Sequence, residues 1–220
     1  MKIKYILKEI TPPIIIKIYR KLFLKKINSN KELETQIKET KLAKVEVKKG
    51  EEKDSDWYNN FYENETKDSI YNVHYTKSPY YYIWSVVIEK LNLYKPKSIL
   101  ELGCGNGQLS SLIYDKGFKN YLGVDFSKVA IEKAKKNCPT FNFICENIVK
   151  TEVIEKYEYD LIIILETLEH IKGDIEVLKK IRSGTQLIAM VPNFDSDSHV
   201  RFFLSKEHVK KRYDLFFEKS

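Results

Sequence analysis

From about residue 79 onward, apolar and polar positions repeat with two alternating periods. Short apolar runs occur at KSILEL, YLGVD, FNFIC, YDLIIIL and TQLIAMV, each bounded by turn residues, and each predicts a strand. Between them, YYYIWSVVIEKL, GQLSSLIYDKG, SKVAIEKAKKN and LEHIKGDIEVLKKI carry apolar residues at helical spacing. Gly117 closes the second of these helices; Ser127 caps the third, which ends near Asn137 and Pro139. YDLIIIL is apolar on both faces, as a central strand of a parallel sheet must be. Strands alternating with helices predict an α/β fold: a doubly wound, mostly parallel sheet with helices on both faces. Ligands bind such a sheet at the carboxyl ends of its strands.

Composition adds bounds. A chain of 220 residues holds one ordinary domain and an appendage. Three scattered cysteines supply neither a disulfide framework nor a zinc cluster, and they fit a reducing cytoplasm. The net charge of +7 is local: residues 1–27 hold eight basic residues and one acid, and elsewhere 30 basic and 30 acidic residues cancel. A nucleic-acid enzyme carries its charge around its groove, so the neutral body argues against nucleic acid as a partner. The tail divides the chain into a basic segment 1–27, a charged linker 28–55 and a domain 56–220. In the tail, Lys17, Lys21 and Lys25 line one helical face, with Ile15, Ile18 and Leu22 on another. Such a helix can lie in an anionic membrane interface, or dock on the domain or a partner. The tail is not a secretory signal, and its longest uncharged run, ITPPIII, is too short to span a bilayer. The expected location is therefore the cytoplasm, with peripheral contact at the inner face of the membrane.

The first strand runs into ELGCGNG, which opens a helix. Gly103, Gly105 and Gly107 let the backbone turn sharply and approach a ligand. Glu101 precedes them, Asp125 ends the next strand where a carboxylate can take both ribose hydroxyls, and Asn147 follows the third. A nicotinamide enzyme needs a glycine at position 108, where Gln108 stands. Glu101 suits a cationic amine and has no use beside a pyrophosphate.

The fourth strand ends at ETLEHI. On a helix, Glu166, Glu169 and His170 fall at i, i+3 and i+4 and share one face. Two carboxylates and an imidazole suit a base or a divalent Mg²⁺, Mn²⁺ or Zn²⁺ site, with His199 in the loop after the fifth strand as the fourth ligand. Solvated polar residues opening a surface helix would show the same letters.

These motifs, ILELGCGNGQLSSLIYDKG, YLGVDFS and YDLIIILETLEHI, resemble in order and spacing those of class I S-adenosylmethionine-dependent methyltransferases, over roughly residues 57–217. The resemblance implies a Rossmann-like sheet with S-adenosylmethionine as cofactor. It places Glu101, Gly103, Gly105, Gly107 and Glu166 around the methionine part, Asp125 on the ribose, and Phe126 and Asn147 at the adenine. Glu169 and His170 become the catalytic pair facing an acceptor. The E-x-x-E-H pattern with a later histidine is similar to that of small-RNA 2′-O-methyltransferases, which implies Glu166, Glu169, His170 and His199 as metal ligands; ubiquinone-type O-methyltransferases carry a like pattern. Aromatic segments WYNNFYENE and HYTKSPYYYIW resemble a cofactor lid, with Tyr75, Tyr80, Tyr81 and Trp84 as candidates for the substrate side or for plain packing.

The whole run also looks like methyltransferases of bacterial surface-polysaccharide clusters, which implies a saccharide or small-molecule hydroxyl as acceptor. A metal-dependent RNA 2′-O-methyltransferase and a non-catalytic cofactor-binding scaffold are the rival readings. Class I sheets end in an antiparallel hairpin, and the residues after Ser205 leave no room for one. That leaves the fifth strand as an exposed edge, for a partner subunit or the N-terminal segment to cover.

Overall fold

The computed structural model describes residues 3–4, 50–66 and 69–218. The basic helix expected over residues 14–26 and most of the linker 28–55 lie outside the described residues. Five strands form the body of one parallel sheet: β2 (Ile99–Leu102), β3 (Tyr121–Asp125), β4 (Asn142–Cys145), β5 (Leu161–Leu165) and β6 (Gln186–Met190). Helices connect them: α2 (Tyr81–Tyr94) leads into β2, α3 (Gln108–Asp115) follows it, and α4 (Lys128–Asn137) follows β3. The short α5 (Val153–Lys156) precedes β5, and α6 (Asp174–Lys180) precedes β6. Helix α1 (Ser55–Asn64) comes before all of these, and α7 (Lys206–Tyr213) after them.

The helix punctuation follows the expected chemistry. The Ser127 hydroxyl accepts from Ala130 N at 3.1 Å and caps α4. Gly117, at φ +92°, lets the chain leave α3. Asp54 caps α1 by accepting from Trp57 N at 2.9 Å.

Both sheet faces are covered. Leu100, Leu102, Ile162 and Ile164 point into one apolar core, and Ile99, Leu161 and Ile163 into the other. The alternation is the period-two geometry of a strand with helices above and below. Each of these side chains is almost fully buried, which contributes about 1.5–3 kcal/mol apiece.

Strand order is β4-β3-β2-β5-β6, extended by β1 (Ile3–Lys4) and β7 (Phe217–Glu218). The chain winds outward from β2 through β3 to β4, then returns to lay β5 on the other side of β2. That reversal opens a crevice beyond the carboxyl ends of β2 and β5. The edge of β6 is met by the N-terminal residues: Lys4 pairs in parallel with Gln186, and Ile3 and Lys4 pair with Phe217 and Glu218. All pairings among the described residues are parallel.

One expected element differs. LEHIKGDIEVLKKI forms a helix only over Asp174–Lys180, and residues 166–173 make turns. Glu166, Glu169 and His170 therefore do not share a helical face. One cause is local and one reaches across the chain. Glu166 takes φ +47°, a left-handed conformation that costs a non-glycine residue about 1–2 kcal/mol and cannot start a right-handed helix. The carbonyl of Glu169 accepts from Val200 N at 2.8 Å instead of from a helical neighbour.

Candidate active site

A cavity of about 410 Å³ opens at the crevice between β2 and β5. Its floor is the glycine loop. Gly103, Gly105 and Gly107 all take positive φ, as the tight turn into α3 demands. The loop is tied to β3, because Gly103 N and Cys104 N both donate to Val124 O, at 2.8 and 3.1 Å. Asp125 finishes β3 under the loop: Oδ2 accepts from Gly105 N at 3.0 Å and Oδ1 from Ser127 N at 2.9 Å. Burial pushes the Asp125 carboxyl up, and those N–H donors pull it back toward the charged form.

Glu101 is 4% exposed at the end of β2 and accepts a hydrogen bond from the Tyr121 hydroxyl. Burial raises its carboxyl to about 7, against the opposing pull of that hydrogen bond. A cation reaching this carboxylate would supply the counter-charge that the protein withholds. Phe126, Asn147 and Glu166 also line the cavity. Asn147 Oδ1 already accepts from Val149 N at 2.9 Å, which orients the side chain and leaves one lone pair for a ligand. The predicted cofactor residues thus surround one cavity, except that Gly107 lies behind the loop, packed against Ala134.

The second cluster sits beside them. Glu169 is fully buried, and neither carboxylate oxygen has a hydrogen-bond partner. His170 Nε2 lies 3.7 Å from Glu169 Oε1. The His170 and His199 rings meet at 4.7 Å and 74°. Ligand atoms of Glu169, His170 and His199 all lie within 4.8 Å of one another. Each histidine turns Nδ1 to a backbone carbonyl, His170 to Ser198 O at 3.0 Å and His199 to Phe194 O at 3.2 Å. A carbonyl only accepts, so Nδ1 bears the hydrogen in both rings and Nε2 is left a bare lone pair. Burial holds both imidazoles below their ordinary pKa, His170 at about 4. Burial raises Glu169, and the neighbouring Glu166 raises it further. Two neutral imidazoles and an unsatisfied buried carboxyl are a donor set that fits a divalent cation. Glu166 stands outside this group of three, on the side of the glycine loop.

An aromatic roof covers both clusters. Trp57, Tyr58, Phe61 and Tyr62 of α1 line the cavity with Tyr71. The Tyr58 ring touches Phe126 at 5.2 Å and His170 at 6.1 Å, so it spans the Phe126 side and the histidine side. Asn59 Oδ1 accepts from the Ser127 hydroxyl at 2.9 Å and docks α1 on α4. Of the four aromatics named from sequence, Tyr80 and Trp84 line the cavity. Tyr75 instead donates to Asp115 at 2.5 Å, away from it. Gln108 donates to Ile70 O and Val73 O, at 3.0 and 2.6 Å, and ties the 70–73 segment to α3.

Residues 80–214 match the methyltransferase domain family. The chain belongs to that family. Residues of this methyltransferase domain are 28% identical over 132 residues to a ubiquinone biosynthesis O-methyltransferase of Coxiella burnetii, covering 56% of this chain and 55% of the relative. They are 34% identical over 92 residues to a malonyl-[acyl-carrier protein] O-methyltransferase of Anoxybacillus flavithermus, covering 40% and 35%. The chain thus spans about half or less of these curated relatives. The domain superimposes on the plantazolicin methyltransferase BpumL with a TM-score of 0.51 at 22% identity, over 64% of this chain and 66% of that one, which shows the shared fold. Among the described residues no helix is long and apolar enough to cross a membrane.

Proposed function

We propose that the protein is an S-adenosylmethionine-dependent methyltransferase that methylates a hydroxyl of a saccharide or small molecule in surface-glycan biosynthesis. The observation that carries the reading is the juxtaposition of two built clusters: the glycine loop with Glu101 and Asp125, and the Glu169–His170–His199 group, whose two histidines line the same cavity while Glu169 is buried behind them. Both named relatives are O-methyltransferases, which supports an oxygen acceptor. The basic amphipathic pattern of residues 14–26 supports work at the inner face of a membrane, on a lipid-linked acceptor.

In this reading Glu101 takes the cofactor's amine, Gly103 and Gly105 admit its methionine part, and Asp125 holds the ribose diol. Phe126 and Asn147 flank the adenine, and Glu166 closes the methionine side. The cofactor, when bound, supplies a methyl group already activated on a sulfonium. What remains for the chain is alignment, exclusion of water and removal of the hydroxyl proton. Tyr58 and the α1 aromatics keep water from the cavity. Glu169, His170 and His199 would hold a divalent ion, with Glu166 nearby; such an ion supplies a Lewis acid that lowers the pKa of a bound hydroxyl. Without an ion, the bare Nε2 of His170 is the proton acceptor.

Titration calorimetry of the intact chain with S-adenosylmethionine and S-adenosylhomocysteine tests the first half. Absence of binding would sink the reading. Transfer of labelled methyl to nucleotide-linked sugars, lipid-linked saccharides and RNA 3′ ends, each with and without chelator, tests the second. Label found only on RNA would replace the saccharide proposal, and binding without transfer to any acceptor would favour a scaffold.

A further inference from the structure

Neither carboxylate oxygen of Glu169 has a hydrogen-bond partner, so the backbone of its turn does most to set where the carboxyl lies. That backbone is held by one short strip of chain. Arg201 Nη1 donates to both Leu168 O and Ile171 O, and Nη2 reaches Lys172 O at 3.3 Å. The adjoining Val200 N donates to Glu169 O at 2.8 Å, and Ser198 O accepts from His170 Nδ1 at 3.0 Å. Residues 198–201 thus replace the hydrogen bonds that a helix would have given this turn. The guanidinium is itself aimed by Asp174, 0% exposed, with Oδ1 3.3 Å from Arg201 Nη2. Asp174 is fixed in turn by Arg212 Nε and Nη2, both at 2.7 Å, and by the Tyr213 hydroxyl at 2.7 Å.

We infer that Arg201 is a positioning residue that sets the Glu169–His170 turn through its carbonyls, touching neither cofactor nor acceptor. The inference rests on the reading of Glu169 and His170 as the acceptor-side pair. A planar fork that serves three carbonyls has no equivalent in lysine, whose single ammonium cannot span them. Arg212 reaches Asp174 from the far side and bonds none of the turn's carbonyls, so it stands one contact further from Glu169.

Hydrogen exchange of the intact chain separates these roles. Arg201→Gln is expected to speed exchange at residues 166–172 and 198–200 by about tenfold or more, with the 103–107 loop still protected. Affinity for S-adenosylhomocysteine should stay within about threefold of the parent, because the cofactor cluster is held from β3 instead. Arg201→Lys should fall between the two. Arg212→Gln should lower the melting temperature without opening the 166–172 segment. Unchanged protection of that segment in Arg201→Gln would overturn the inference, as would a loss of protection spread equally over β2 and β3. A Mn²⁺ titration adds a second arm: Arg201→Gln should weaken Mn²⁺ binding about tenfold or more while cofactor affinity holds. A parent that binds the cofactor but no Mn²⁺ removes the metal reading, and the exchange data then decide Arg201 alone.

Discussion

The hydroxyl of Thr167 occupies the space beside Gly103, where a Cβ on that glycine would lie 2.1 Å from Thr167 Oγ1. This contact joins the glycine loop to the E-T-L-E-H turn. Thr167 is held there by donating to Leu165 O at 2.8 Å. Gly103→Ala meets both a clash and a positive φ of +77°. It is expected to destabilise the fold by about 1–3 kcal/mol and to weaken S-adenosylhomocysteine binding about tenfold or more. Thr167→Ala in the same chain should restore part of the loss, because the clash goes while the backbone strain stays. Calorimetry on the four members of that cycle checks it, and strictly additive effects would show that the two residues do not couple.

Gly50 makes a comparable contact from the other side of the site. A Cβ there would lie 2.6, 2.7 and 2.8 Å from the carbonyl oxygens of His199, Asp197 and Ser196. Glu52 adds a tie two residues on, with Oε2 accepting from Lys172 N at 3.1 Å. Residues 50–54 therefore strap the His199 loop to the Glu169–His170 turn. Gly50→Ala should cost about 1–3 kcal/mol in a denaturant titration, since backbone carbonyls cannot turn aside as a side-chain tip can. A midpoint equal to the parent's would show that the strap does not seat on the loop.

Much of this was legible in the sequence. Five strands, the Ser127 cap and the Gly117 stop follow from periodicity and punctuation, which are local properties. The gathering of Glu101, Gly103, Gly105, Asp125 and Asn147 at one cavity was legible for the same reason: each lies at or just beyond the end of a strand, and one sheet collects strand ends. What the letters concealed are contacts across the chain. LEHIKGDIEVLKKI has helical spacing, yet Arg201 and Val200 take the turn's carbonyls from 30 residues away, and no periodicity records that. Gly50 reads as linker until the carbonyls facing it are known. Tyr58 is one tyrosine among 15 until its ring is found between Phe126 and His170.

Glu101 gives the site a pH dependence of definite sign. Its folded pKa, about 7, lies above the ordinary carboxyl value of 4.5 because burial disfavours the charge. The folded state therefore binds its proton more tightly than the unfolded chain does. Its contribution to stability is full below about pH 4.5 and is lost as pH rises through about 7, on the order of 3 kcal/mol in all. The unliganded protein should melt lower at about pH 8 than at about pH 6, and Glu101→Gln should flatten that slope. S-adenosylhomocysteine, whose amine would pair with the ionised carboxylate, should bind more tightly at the higher pH in the parent and not in Glu101→Gln. Calorimetry at both pH values reads this directly, and a parent affinity that falls with pH would contradict it.

Glu169 sets stability against binding. Its two oxygens are buried without partners, a condition that costs a folded protein about 1–3 kcal/mol, and more when the group is ionised. Burial and Glu166 raise the Glu169 carboxyl to about 9, so at about pH 8 folding must protonate it; Glu169→Gln spares that cost at nearly constant shape. In chelator at about pH 8 the variant should therefore melt several degrees above the parent. In Mn²⁺ the order should reverse, because the parent gains from the ion through a carboxylate that the amide cannot replace, and stabilisation grows with the logarithm of ion concentration over Kd. His199→Ala should lose the Mn²⁺ effect without the gain in chelator, since His199 Nδ1 is already satisfied by Phe194 O. Thermal scans of the three proteins with chelator and with Mn²⁺ decide the matter. If Glu169→Gln melts below the parent under both conditions, the carboxyl has a partner in solution and is part of the packing; if it melts above under both, the site holds no Mn²⁺ and His170 stands as the base.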